Sequence, residues 1–153
     1  MPVLSINKQV RHDYDLIESF EAGLVLTGQE VKAVRSGQAN LKSSYISTRK
    51  TKKLLPEFYL INASIAPYKY ASQLKDYEQK RDRKILLNKK EAKRLVGKLH
   101  EKGLTLVPIK IYTKTGLLKI EIALSKGKKS YNKREDIKRR DIDRELMRTL
   151  KNR

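Results

Sequence analysis

The sequence predicts a mainly β fold: an OB-like antiparallel β-barrel with two or three flanking helices and a basic C-terminal tail. Three observations lead there. Several short segments alternate apolar and polar residues between turn residues. Two segments carry helix-capping signals. Apolar periodicity stops near residue 125, and basic residues dominate beyond it. A small closed barrel hides its sheet edges and offers one face to nucleic acid.

The elements follow in order. Tyr14 to Leu26 reads as a β segment, with Gly23 as its bulge or bend. Thr27-Gly-Gln-Glu30 has capping-box spacing, a hydroxyl at the N-cap and a carboxylate three residues on. A short helix to about Arg35 should follow and end at Gly37. Leu41 to Thr48 is a strand, Arg49 to Lys53 a polar turn, and Phe58 to Ile65 another strand stopped at Pro67. Asn88 and Glu91 repeat the cap spacing. Ala92, Leu95, Val96 and Leu99 then form one apolar stripe, with Gly103 as the C-cap. Two strands close the barrel, Leu104 to Tyr112 and Leu117 to Leu124, joined by Thr113 to Gly116. Pro108 marks an edge or a bulge in the first of them.

This divides the chain into a barrel domain, 1–125, and a basic tail, 126–153. The tail holds 12 basic and 5 acidic residues, a net charge of +7. Its large apolar residues are few, so it cannot bury enough surface alone to offset its ordering entropy. It is expected to be disordered when free. Ile142, Leu146 and Leu150 would form a narrow stripe if it became helical.

Charge restricts the partners. The 153 residues include 36 Lys and Arg against 17 Asp and Glu, a formal net charge of +19. Such a surface repels itself and gains entropy by displacing counterions from a polyanion. No apolar run nears the roughly 20 residues that span a bilayer, and no leader pattern or lipidation motif is evident, so no membrane partner is expected. There is no cysteine, hence no disulfide framework or thiolate zinc site. A cytoplasmic location fits both features.

Catalytic constellations are missing from the sequence. No phosphate-cradling glycine loop, nucleophile elbow or HExxH stands in it. His100 lies near a helix end, where the dipole favours its cation. His12 could pair with Asp13 as a base, contact RNA, or hydrogen-bond structurally. Asp141, Asp143 and Glu145, at i, i+2 and i+4, do not converge on one helical face as metal ligands would. Neither enzyme activity, metal nor cofactor is expected. Basic clusters remain: Lys80 to Lys84 (with Arg81, Arg83 and Lys84), Lys126-Gly-Lys128-Lys129, Lys133-Arg134, and Lys138-Arg139-Arg140. Each could be a plain solvated face. Tyr131 lies between two of them, where an aromatic ring can stack on a base.

Longer motifs resemble a known family. Arg11-His-Asp-Tyr-Asp15, Phe20 to Lys32, Arg35-Ser-Gly-Gln-Ala-Asn-Leu41 and Ser44-Tyr45 are similar to the signature of SmpB, the SsrA-binding protein family. Arg83 to Asn88, Glu101 to Pro108, and Ser125 to Lys129 followed by Lys133-Arg-Glu135 continue it in order. Two departures stand out: Asn132 where the family often has Asp, and Tyr77 to Arg81 where it usually has Asp-Pro.

The resemblance implies an OB-like barrel that binds the tRNA-like domain of transfer-messenger RNA, one copy per RNA. It implies an adaptor in trans-translation whose tail becomes helical in the decoding centre and messenger channel of a stalled ribosome. The transfer-messenger RNA face would comprise His12, Tyr14, Glu21, Glu30, Lys32 and Arg35, with Arg81, Arg83 and Lys84 beside them. Lys126, Lys128, Lys129, Tyr131, Lys133 and Arg134 would meet decoding-centre ribosomal RNA, with Lys138, Arg139 and Arg140 beyond them. Leu146 and Met147 would be the apolar pair of the tail helix. The alternative is a general ribosomal protein or RNA chaperone with the same charge but no dedicated RNA.

Overall fold

The computed structural model describes residues 2–69, 77–101, 103–127, 142 and 144–150. The barrel is built from β2 (Tyr14–Leu24), β4 (Tyr45–Arg49), β5 (Glu57–Ile61), β7 (Arg83–Leu86), β8 (Leu104–Lys114) and β9 (Leu117–Gly127). The ring runs β4-β5-β7-β2-β9-β8 and closes where Ile46 of β4 meets Leu106 of β8. Every pairing is antiparallel. β1 (Val3–Ile6) takes over the free edge of β8 where β4 leaves it, pairing Ser5 with Ile111 and Ile6 with Lys110. A two-residue ladder of β3 (Ala39–Asn40) and β6 (Ser64–Ile65) lies outside the ring.

The β8–β9 hairpin is the spine. Its turn residues Thr115 and Gly116 both have positive φ, 50° and 77°, matching the twist of the flanking strands. Leu106, Ile111, Ile120, Ile122 and Leu124 point inward and pack with Phe20, Leu60 and Ile85 in one buried cluster. The bulge expected near Pro108 is present: the register slips between Pro108 and Lys110. A residue without an N–H is tolerated there because β4 and β1 exchange places on that edge.

In β2 the bulge falls between Leu16 and Glu18, not at Gly23. Gly23 stays in register, opposite Lys119 of β9 and Leu86 of β7, at the point where β2 begins to pair on both edges.

Two strands are shorter than the sequence suggests. Leu41 to Ser44 forms a tight turn, with the Ser44 N–H donating to the Leu41 carbonyl at 3.1 Å and Leu41 itself buried. The strand therefore starts at Tyr45. Phe58 to Ile65 is split at Asn62, whose φ of 66° ends β5 before β6 begins. β1, β7 and the one-turn helix α1 (Val10–Asp13) had no clear signal. In β7 two basic residues, Arg83 and Lys84, masked the alternation.

The two longer helices, α2 and α3, carry side-chain caps. α2 (Gly28–Arg35) has the full capping box: Thr27 N–H donates to Glu30 Oε1 at 3.0 Å, and Glu30 N–H donates to Thr27 Oγ1 at 3.3 Å. It ends as expected at Gly37, in the left-handed region at φ 80°. α3 (Lys89–Leu99) is capped by the Asn88 side chain, which accepts from Lys90 N–H at 2.9 Å. Its C-cap is His100; Gly103, at φ 85°, instead turns the chain into β8. Ala92 and Leu95 are buried, and Val96 and Leu99 pack beside them. Residues 142 and 144–150 are helical, with Ile142, Leu146, Met147 and Leu150 exposed.

Candidate nucleic-acid interface

Glu30 serves both as a helix cap and as the acceptor of two arginines. Oε1 takes Arg81 Nη2 at 2.5 Å, and Oε2 takes Arg83 Nε at 2.6 Å. The remaining Arg83 donors reach the Ala63 carbonyl at 2.8 Å and the Gln79 carbonyl at 2.9 Å. The side chains of Arg83 and Glu30 are only 0% and 2% exposed. Burial alone would raise the Glu30 pKa. The Arg81 hydrogen bond, the Thr27 N–H and Arg83 outweigh it, holding the carboxyl below its ordinary value. Glu30 and Arg83 were expected at the RNA face; both are buried, and their polar atoms are engaged within the protein. They fix α2 to β7 and support the surface rather than form it.

The rest of the 80–84 run also has internal partners. Arg81 is half-exposed but bound to Glu30, and Asp82 pairs with Arg49. Lys84 lies on the opposite side of β7 from Arg83 and meets Glu57 at 3.5 Å. Arg81, Arg83 and Lys84 are therefore not one cationic patch. The loop before them, where the family motif is altered, is anchored by Tyr77 donating to the Ile65 carbonyl at 2.7 Å.

Glu21 has a different setting. It stands on the outer side of β2, directly opposite Glu121 of β9. Like charges across a strand pair repel, and lysines of β8 relieve them: Lys114 Nζ approaches Glu21 Oε1 at 3.3 Å, and Lys110 approaches Glu121 at 3.5 Å. The Tyr112 hydroxyl donates to Glu21. This hydrogen bond, with Lys114 helping, holds the Glu21 carboxyl below its ordinary value. Burial first, then the carboxylate acceptor, pushes the Tyr112 hydroxyl up. Sequence reasoning passed over Tyr112, Lys114 and Lys110. Their alternate spacing marks one face of a strand, but only the register of β8, β9 and β2 brings that face to Glu21.

The hairpin tip joins Glu21 to α2. Arg35 Nη2 donates to the Gly116 carbonyl at 2.9 Å, two residues from Lys114. Lys32, one turn earlier, is exposed and lies 5.7 Å from the ring centre of Tyr68. His12 and Tyr14 sit at the other end of β2. His12 Nδ1 is 3.0 Å from Asp13 Oδ1, and Tyr14 pairs with Gly127. Glu21 lies seven positions after Tyr14, roughly 23 Å along a strand. The candidate residues thus form a strip along β2 and the hairpin tip, not a pocket.

Of the basic tail residues, Lys126 lies on β9, opposite Asp15 and Leu104, so the barrel strand extends two residues beyond 125. Lys128, Lys129, Tyr131, Lys133, Arg134, Lys138, Arg139 and Arg140 fall outside the described residues. Leu146 and Met147 are helical and exposed. Among the described residues no group of three or more His, Cys, Asp or Glu is placed to hold a metal ion, and no helix is long and apolar enough to cross a membrane.

A closed antiparallel barrel capped by short helices and bearing this cationic surface belongs to the OB-like class of small β proteins. Comparison with known proteins narrows the class. The family model for the SmpB protein matches residues 4–152. The SsrA-binding protein of Trichormus variabilis is 46% identical over 150 residues, covering 98% of this chain and 94% of that protein. That of Syntrophobacter fumaroxidans is 50% identical over 147 residues, covering 96% and 88%. The solved structure "tmRNA-SmpB: a journey to the center of the bacterial ribosome" aligns with a TM-score of 0.65 at 43% identity, covering 85% of this chain and 87% of that one. The chain belongs to the SmpB family.

Proposed function

We propose that this protein binds the tRNA-like domain of transfer-messenger RNA and serves as its adaptor in trans-translation on stalled ribosomes. The observation that carries the reading is family membership across nearly the full length of a chain whose formal net charge is +19. The protein makes and breaks no bond in this role; it recognises and positions. The strip from His12 and Tyr14 through Glu21 to Lys32 and Arg35 is the RNA face. Lysines and arginines hold phosphates, Tyr14 stacks, and the prearranged Glu21 carboxylate accepts from a base edge or ribose hydroxyl. Arg81 sits at the margin of that face. The segment from Lys126 onward, with its basic residues, Tyr131 and the Leu146 and Met147 pair, enters the decoding centre of the small subunit. There its lysines and arginines meet the phosphates of ribosomal RNA.

The test is competition at physiological salt. Transfer-messenger RNA should outcompete an unrelated tRNA and an RNA duplex for the full-length protein. A protein lacking residues 131–153 should keep that preference and lose peptide tagging of stalled ribosomes. Equal affinity for all three RNAs would instead favour the general RNA chaperone.

A further inference from the structure

We propose that the groove between α3 and the turn joining β4 to β5 holds the chain's own C-terminal helix, residues 142–150, when the protein is free. The contact is independent of the RNA reading above; its consequence on the ribosome rests on that reading. The groove has a volume of about 510 Å3. Leu54 and Pro56 line one side, Val96 and Leu99 the other. Leu55 packs on the core and anchors the turn, while Leu54 is 93% exposed. A lone exposed leucine needs no explanation. One that continues an apolar wall across a groove marks a surface built to be covered.

A matching surface stands uncovered in the same chain. Ile142, Leu146, Met147 and Leu150 are all exposed on the tail helix. Their spacing is that of an amphipathic helix seated in a groove by residues one turn apart. Isolated helices shorter than about 12–15 residues are marginal in water and need an apolar face to pack on. The groove supplies that face.

The connection favours this occupant over another molecule. Lys126, near the end of β9, pairs with Leu104, and the Leu104 N–H donates to the Glu101 carbonyl at 3.4 Å. The chain therefore leaves the barrel beside the last turn of α3, whose Leu99 lines the groove. The 14 residues 128–141 reach roughly 46–50 Å when extended, whereas α3 is only about 16 Å long. A tethered segment also meets its site at an effective concentration near millimolar, so a weak contact suffices. Charge agrees. Residues 141–150 carry three carboxylates (Asp141, Asp143 and Glu145) against two arginines, within a tail of net charge +7. The exposed Lys50 and Lys53 line the groove that would receive them.

The consequence is a closed resting state. A docked helix holds back Leu146 and Met147, the pair assigned above to the decoding centre. The tail must leave the groove before it enters the ribosome, so docking lowers apparent ribosome affinity by the undocked fraction.

The experiment uses the full-length protein without RNA. The chain has no cysteine, so Asn152→Cys takes a single nitroxide label just past the helix. Amide signals of residues 50–56 and 96–100 should broaden, and dilution should not change this. Leu54→Ser and Leu146→Ser should each remove most of the broadening while keeping the thermal midpoint. Equal broadening in wild type and both variants would reflect the tether alone and overturn the groove, as would no broadening at all. Broadening of an unlabelled, isotope-enriched chain by a labelled partner copy would assign the groove to a second molecule and overturn it too. With half the tails docked, Leu54→Ser should bind 30S particles about twofold tighter than wild type. Equal or weaker binding would overturn the resting-state role. Failure of the transfer-messenger RNA reading would leave the spectroscopic result standing, because that arm contains no RNA.

Discussion

Glu30 and Glu21 make an instructive pair. The family motif places both at the RNA face, nine residues apart. In the structure one is 1% exposed at the base of α2 and the other stands on the outer sheet. Both carry lowered pKa values, for different reasons. Glu30 is held against its own burial by two arginines and a backbone N–H. Glu21 is held at the surface by a tyrosine hydroxyl and a lysine. The first arrangement builds the frame. The second leaves an acceptor aimed outward. A carboxylate's role here is set by what its neighbours have already satisfied, not by its place in a motif.

Breaking the frame should have the largest effect. Arg83→Ala leaves a buried carboxylate without its fully buried partner, which typically costs 3–5 kcal/mol. Urea unfolding should show that loss. Arg81→Ala, removing the half-exposed partner, should cost clearly less. Equal losses would mean that burial does not separate the two arginines.

The same ion pair should set the acid limit. The folded Glu30 pKa lies below the unfolded one, so its stability contribution is complete above the unfolded carboxylate range and is lost as pH falls through the folded value. The unfolding free energy should therefore decline below about pH 4.5, the usual range for a glutamate. The decline should be flatter in Glu30→Gln, which starts lower but has no proton to take up. Parallel profiles would assign the acid sensitivity to other carboxylates.

How much of this was legible beforehand follows the same division. The capping box, the α3 stripe and the β8–β9 hairpin were readable because each is a local pattern. The first helix end was readable too, since Gly37 needs positive φ. Burial of Arg83 was not. Nothing local distinguishes a basic residue in the 80–84 run that turns inward from one that turns out. The difference arises from strand parity in β7 and from Glu30, 53 residues away. The Tyr112–Glu21 contact spans 91 residues for the same reason. Motif resemblance could not sort the buried residues of that region from the exposed ones.

At the outer face the effects should be functional rather than structural. Glu21→Gln should leave the thermal midpoint in place while lowering affinity for the tRNA-like domain roughly tenfold, the scale of one hydrogen bond to a charged group. Tyr112→Phe should follow in the same direction and more weakly, since it frees the carboxylate without removing it. A loss of stability with intact RNA affinity would make Glu21 another frame residue.

The smallest effect is the most diagnostic of phosphate contact. Lys32→Ala removes one exposed cation from α2 and disturbs no hydrogen bond of the capping box. If its ammonium sits on a phosphate, one fewer counterion is released on binding. The salt slope should then fall in magnitude by roughly 0.7–0.9, with only a modest loss of affinity. Arg35→Ala should give a similar slope change and also loosen the hairpin tip, because its guanidinium holds the Gly116 carbonyl. That second effect should appear as faster amide exchange around residues 114–117 in the free protein, before any RNA is added. A slope change in Arg35→Ala without faster exchange would place Arg35 on the RNA alone. Faster exchange with an unchanged slope would make it a strut for Lys114 and Glu21. The two readouts thus extend the contrast between frame and face to a residue that touches both.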